Sequence, residues 1–193
     1  MQVKSMCVFC GASVGNDPAF AEASHELGAM MAERGIRLIF GGGHVGMMGL
    51  VADAVLGAGG EAVGVIPEHL VEREVGHDRL TALHVVDTMH SRKQKMFELS
   101  DAFAVLPGGI GTLDETFEIL TWRQLGLHDK PIVLLSVAGY WRPFEEQVGA
   151  IVKAEFAPTA AAELFAVAAS PKELFELLDR TGPPRLPPDS ARF

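Results

Sequence analysis

The sequence predicts an α/β protein built on a mainly parallel sheet of six or seven strands. Three observations predict it. Short apolar runs alternate with longer stretches of helical periodicity along most of the 193 residues, 48% of the residues are hydrophobic, and glycine-bearing loops follow three of the apolar runs. The length suits one domain, residues 1–180, followed by a proline-rich tail over 181–193.

Taken in order, the first apolar run, Lys4 to Phe9, reads as a buried strand. The N-terminus also resembles a short signal peptide, with Lys4 ahead of an apolar stretch, but the same residues serve better as the strand that leads into a glycine turn. Cys7 and Cys10 form a C-x-x-C pair inside this apolar segment, where residues three apart face opposite sides, and no second pair completes a zinc site. Two buried cysteines suit a reducing cytoplasm. A helix is predicted over Pro18 to Arg34, with Phe20, Leu27, Met30 and Met31 forming one buried stripe. Strands follow at Arg37 to Phe40, Glu61 to Ile66, Ala82 to Val86, Ala102 to Leu106, Pro131 to Ser136 and Phe165 to Ala168. The intervening helices are predicted over Met47 to Leu56, Ser91 to Leu99, Thr112 to Leu125, Tyr140 to Lys153 and Pro171 to Leu178. The tail contains TGPPRLPPDS, too rich in proline for a helix or an interior strand; its Pro184 and Pro187 have P-x-x-P spacing, a match common by chance.

Composition narrows the partners. Twenty-five acidic residues against 16 basic ones give a formal net charge of −9, which repels a nucleic-acid backbone. No uncharged apolar run approaches the roughly 18 to 20 residues that span a bilayer, so the expectation is a soluble protein without a membrane partner.

Ligands of parallel α/β sheets sit beyond the carboxyl ends of strands, in the loops that enter helices. Three such loops carry glycine: Gly11 to Gly15, including Ser13; Gly41 to Gly49, including Gly42 and Gly43; and Gly108 to Gly111. Each is a possible phosphate or ribose loop, because glycine lets consecutive amide groups converge on an anion. Gly41, Gly43 and Gly46 satisfy G-x-G-x-x-G, but the turn follows the second strand and lacks the acidic residue about 20 positions on that a dinucleotide site uses. A nicotinamide dehydrogenase therefore has little support. A mononucleotide phosphate site and a structural tight turn both remain open there.

The stretch PGGIGTLDE combines a strand end, a glycine turn, a helix start and two carboxylates, Asp114 and Glu115. Thr112-x-x-Glu115 reads as a capping box, with Asp114 complementing the helix dipole. Upstream, MHSRKQKM crowds Arg92, Lys93 and Lys95 at one helix start; taken alone this is a solvated surface. A phosphate gains about 0.3–1 kcal/mol from an exposed helix N-terminus, whereas a carboxylate ~6 Å away repels it by roughly 3 kcal/mol at an effective dielectric of 20. A phosphate at Gly109 to Thr112 thus needs cations, which Arg92 and Lys93 supply if the two helix starts are neighbours. The carboxylate then makes sense if positive charge develops nearby, as it does when a ribosyl group loses its base.

PGGIGTLDE resembles the P-G-G-x-G-T-x-x-E signature of the Lonely Guy family, and MHSRKQKM resembles that family's M-H-x-R-K segment. The order CVFCGAS, GGGHVGMMG, GVIPEHL, MHSRK, PGGIGTLDE, TWRQLGLHDKP also follows the family, over roughly residues 3 to 155. The resemblance implies a cytosolic, Rossmann-like three-layer α/β/α enzyme, a homodimer or higher even-numbered oligomer with its site near the subunit contact. Its implied reaction is hydrolysis of cytokinin riboside 5′-monophosphates, or AMP, to free base and ribose 5-phosphate, with no metal or other cofactor. It places catalysis on Arg92 and Glu115, and substrate binding on Glu74, Lys93, Thr121 and the run Gly109, Ile110, Gly111, Thr112, Leu113 and Asp114. Ile110 stands where relatives often have an aromatic residue, and Ala12 where many have Ser. Some relatives carry a lysine decarboxylase label, yet the sequence shows no recognisable pyridoxal set. A non-catalytic nucleotide-binding module of the same fold is the alternative.

Overall fold

The structure, a computed structural model, describes residues 3–71, 77 and 79–181. Among them, seven parallel strands form one sheet: β1 (Ser5–Phe9), β2 (Arg37–Phe40), β3 (Ala62–Pro67), β4 (Ala82–Val86), β5 (Ala102–Val105), β6 (Ile132–Leu135) and β7 (Ala166–Ala168). Their spatial order is β4-β3-β2-β1-β5-β6-β7. The chain winds outward in one direction from β1 and, after β4, returns to β5 on the other side.

Strand residues alternate between two cores. Met6, Val8, Leu38 and Phe40 face a layer made by α1 (Pro18–Glu33), α2 (Gly46–Gly57) and α6 (Pro171–Thr181). Cys7, Phe9, Ile39 and Val65 face the opposite layer, made by α3 (Met89–Glu98), α4 (Ile110–Gln124) and α5 (Arg142–Lys153). The two cysteines thus lie in different cores, buried and unbridged, as the strand reading of C-x-x-C expects. In α1 the stripe of Phe20, Leu27 and Met31 is buried and Met30 packs beside it. Asp17 caps that helix by accepting from the Ala19 amide at 2.9 Å, with Pro18 in its first turn.

Differences from the predicted bounds are local. α3 starts two residues early because the Thr88 hydroxyl caps it, accepting from the Ser91 amide. α5 starts two residues late because a 3₁₀ turn, Val137–Gly139, precedes it, and α6 runs on to Thr181. The capping box is corrected: Gly109 occupies the N-cap of α4 without a side-chain bond, and Thr112 lies buried within the first turn, its carbonyl accepting from the Thr116 hydroxyl at 2.6 Å. Among the described residues no helix is long and apolar enough to cross a membrane. Glu74 and the P-x-x-P segment lie outside the described residues.

Candidate active site

Strand order reverses between β1 and β5, so the crevice at their carboxyl ends is where this architecture admits a ligand. Phe9 pairs in register with Val105, which sets the two following glycine turns side by side. A cavity of about 450 Å³ opens there, lined by Gly11, Ser13, Phe20, Met47, Gly108 and Tyr140 among others, a volume in the range of small-molecule sites. Backbone bonds knit its floor: the Gly11 amide donates to Pro107 O (3.0 Å) and the Met47 amide to Gly11 O (3.1 Å). The Tyr140 hydroxyl donates to Gly108 O at 2.6 Å, holding the second turn from above. A β-carbon on Gly108 would sit 2.7 Å from the Thr112 Cβ and 2.9 Å from the Gly11 nitrogen, so that glycine is required by packing.

Gly109 and Gly111 differ. A β-carbon on either meets nothing within 4 Å, and neither has a positive φ. The fold has no need of glycine at these two positions. Both lie at the N-terminus of α4, where amide groups lack helical partners, and Gly109 also lines the cavity.

The helix starts of α3 and α4 are neighbours. Lys93 Nζ lies 3.2 Å from Asp114 Oδ2 and 3.0 Å from Glu118 Oε1. Partial burial lowers the proton affinity of this ammonium, but Glu118 and Asp114 outweigh it and raise its pKa above the ordinary value. Arg92, one residue earlier, is buried at 5% exposure, and its Nη2 donates to Gly41 O at 3.2 Å. The basic run is therefore not a solvated surface: its arginine is inserted under the second glycine turn. Glu115 is half-buried. Burial pushes the Cys7 and Cys10 thiols up, and the Glu115 charge adds to both shifts.

Of the sequence-predicted residues, Gly11, Ser13, Gly108 and Gly109 line the cavity, whereas Arg92, Lys93, Glu115 and the residues that follow do not. Leu113 packs into the α3–α5 core. Ile110 (83% exposed), Asp114 and Thr121 lie on the outer face of α4, where the Thr121 hydroxyl donates to Phe117 O. The turn at Gly41, Gly42 and Gly43 is buried, and none of the three lines the cavity; a β-carbon on Gly41 would run into the Arg92 guanidinium. Sequence reasoning assigned Phe20 to the core stripe alone and missed its place in the cavity wall, where it forms an edge-to-face pair with Tyr140 at 5.6 Å; it also missed a cluster of His44, Asp53, His77 and Arg79 beside the Gly41 turn. No local pattern announces that cluster, since 24 positions separate Asp53 from His77.

The family model described as "possible lysine decarboxylase" matches residues 48–178. The probable cytokinin riboside 5′-monophosphate phosphoribohydrolase LOGL2 of Oryza sativa subsp. japonica is 43% identical over 180 residues, 93% of this chain and 74% of that protein. The cytokinin riboside 5′-monophosphate phosphoribohydrolase LOG1 of Arabidopsis thaliana is 43% identical over 176 residues, 91% of this chain and 83% of its own. The chain belongs to the Lonely Guy (LOG) family.

Solved structures agree on the fold. The molybdenum cofactor binding protein of Rippkaea orientalis superposes with a TM-score of 0.71 at 22% identity, covering 93% of this chain and 98% of that one. The Moco carrier protein of Chlamydomonas reinhardtii gives 0.69 at 21%, covering 92% and 96%. Lys130, whose pKa burial pulls down to about 8, is enclosed in the core, donating to Phe97 O at 2.7 Å and lying 3.8 Å from the Phe97 ring centre. Neither it nor Lys93 lines the cavity.

Proposed function

We propose that this LOG-family chain hydrolyses the N-glycosidic bond of purine nucleoside 5′-monophosphates, cytokinin riboside 5′-monophosphates foremost and AMP as well. Water adds its oxygen to C1′, the C1′–N bond breaks, and the base leaves with a proton, giving free base and ribose 5-phosphate. The observation that carries this reading is the pair Gly109 and Gly111, bare in open space at the start of α4 and beside the start of α3. Glycine without a structural need, next to orphan amides, suits close approach of a sugar phosphate. Backbone amides at the start of α4, from Gly109 to Thr112, bind that phosphate, and Lys93 clamps the two helix starts. Arg92 orients the substrate. The Glu115 carboxylate stabilises the oxocarbenium-like transition state or activates water. The names and 41–43% identities of relatives covering more than nine-tenths of the chain support the substrate class.

The test is incubation with AMP and with isopentenyladenosine monophosphate, followed by separation of products. Free adenine or isopentenyladenine is expected, and release of neither sinks the reading. Glu115→Gln is expected to lower kcat about a hundredfold or more, the scale of a positioned acid or base, with nucleotide affinity retained. A non-catalytic binding module would have no turnover to lose.

The reading also takes the chain as a cytoplasmic homodimer. α4 offers a face for the contact: Ile110, Phe117 and Leu125 are 83%, 40% and 66% exposed at helical spacing on one side.

A further inference from the structure

The glycine turn after β2 is gripped from two sides. On one, Arg92 Nη2 donates to Gly41 O at 3.2 Å; on the other, the His77 amide donates to Gly42 O at 3.1 Å. Gly42 has φ of +79°, so the turn holds a conformation reserved for glycine, and Gly41 leaves no room for a side chain against Arg92. The placement of the Gly41 carbonyl, and with it a directional contact of the buried Arg92 guanidinium, depends on what holds residue 77.

That hold is Asp53, on α2. His77 is 3% exposed, and its Nε2 lies 3.3 Å from Asp53 Oδ1. Arg79 pairs with the same oxygen, and His44 lies 3.6 Å from Oδ2 with its ring 4.6 Å from the His77 ring. The donors of His44, Asp53 and His77 fall within 4.8 Å of one another, which invites a divalent cation. The hydrogen bonds argue against one. The Arg79 amide donates to His77 Nδ1 at 3.2 Å, so Nδ1 presents its lone pair and the ring proton sits on Nε2, aimed at Asp53. A metal on Nε2 would force that proton onto Nδ1, against another N–H. The Arg79 guanidinium already supplies positive charge at the carboxylate.

We propose that Asp53 and His77 form a brace that positions Arg92 through the Gly41–Gly42 turn. Asp53 accepts from His77, the His77 backbone pins Gly42, and Gly41 presents its carbonyl to the guanidinium. Asp53 and His77 are positioning residues, and their catalytic relevance rests on the role given to Arg92 above.

A double-mutant cycle tests the brace, because a residue that acts through Arg92 loses its effect once Arg92 is altered. With isopentenyladenosine monophosphate as substrate, Asp53→Ala is expected to lower kcat about tenfold with KM little changed, in line with misplacement of a reacting group by a fraction of an ångström. In an Arg92→Lys background the same change is expected to lower kcat less than twofold. Asp53→Asn, whose amide oxygen still accepts from His77, recovers at least half of the loss. Equal fold-losses in both backgrounds, or an Asn variant as damaged as the Ala variant, overturn the proposal. If thermal melting shows Asp53→Ala unfolded, His77→Phe, which keeps the ring volume and removes the donor, runs the same cycle: a loss that shrinks below twofold in the Arg92→Lys background supports the brace, and an equal loss in both backgrounds overturns it. A readout independent of turnover is rotation of the Arg92 guanidinium, followed by ¹⁵N NMR. It is expected to be slow in the parent protein, fast in Asp53→Ala and slow again in Asp53→Asn; identical spectra in all three overturn the brace. Absence of any base release, with these NMR differences intact, instead removes the hydrolase reading alone.

Discussion

Gly41 shows at the level of one residue that a glycine in a ligand-like pattern can be required by packing alone. It belongs to a G-x-G-x-x-G match, yet its missing side chain serves Arg92: a methyl group there would occupy the position of the guanidinium. Gly41→Ala is therefore expected to destabilise the protein by about 1–3 kcal/mol, the range for overpacking a filled site. It should also lower kcat, because Arg92 must move. Chemical denaturation and steady-state kinetics on the same preparation check both effects. A variant of unchanged stability and activity would show that the arginine has another resting place. Glu115→Gln carries no comparable folding risk through the helix cap, since Gly109 and not Thr112 occupies the N-cap of α4.

At the level of elements, α4 separates what glycine does for the fold from what it does for the site. Gly111 lies in the first turn with open space around it and no positive φ. Gly111→Ala should therefore stabilise α4 by about 0.5–1 kcal/mol through helix propensity, and raise KM for the nucleotide if the bare backbone is a contact surface. A rise in melting temperature without change in KM would remove Gly111 from the site. The same helix shows where sequence legibility ends. Strand β2 falls where its apolar run places it, because buried parallel strands are short, continuous and bounded by turn residues, and β4 keeps its predicted bounds as an edge strand with Leu83 and Val85 exposed. The start of α4 shifts by two residues because Thr112-x-x-Glu115 imitates a cap, while the actual N-cap is a glycine backbone that leaves no side-chain signature. The short 3₁₀ turns, Val137–Gly139 among them, are too brief for periodicity to announce. In the site, charge arithmetic makes the nearness of MHSRK and PGGIGTLDE a condition for a phosphate at Gly109 to Thr112, and the Lys93–Asp114 pair brings the two helix starts together. The insertion of Arg92 beneath Gly41 and the Asp53–His77–Arg79 cluster are not legible, because each joins residues distant in sequence, from α3 to the turn after β2 and from α2 to residues 77 and 79, that only the assembled fold makes adjacent.

Global stability of the whole molecule is tied to pH through His128, which joins the end of α4 to β6. Its Nε2 donates to Ile119 O at 2.8 Å and its Nδ1 accepts from the Lys130 amide at 3.1 Å, so the folded protein uses the neutral ring. Burial pulls its pKa down to about 4, and the charges of Lys130 and Arg123 push the same way. The unfolded chain, with a histidine pKa near 6.5, binds this proton more readily, so stability is full above about pH 6.5 and falls between there and pH 4. Urea unfolding at pH 5 is expected to give about 2 kcal/mol less than at pH 7, with the difference much reduced in His128→Gln; equal pH slopes in the two proteins would assign the proton elsewhere. A second whole-molecule property is association. A chain with formal net charge −9 repels its own copies unless apolar contact outweighs the charge. The outer face of α4, with Ile110, Phe117 and Leu125 exposed, presents such a surface within one helix of the proposed catalytic residues. Sedimentation at micromolar concentration should return twice the chain's mass, persisting in high salt because the contact is apolar. Leu125→Glu should return a monomer with little change in melting temperature extrapolated to low concentration, since its side chain is solvent-exposed in the isolated chain. If the parent protein is a dimer and Leu125→Glu remains one, α4 is not the contact, and the apolar stripe must be accounted for by something other than a second copy.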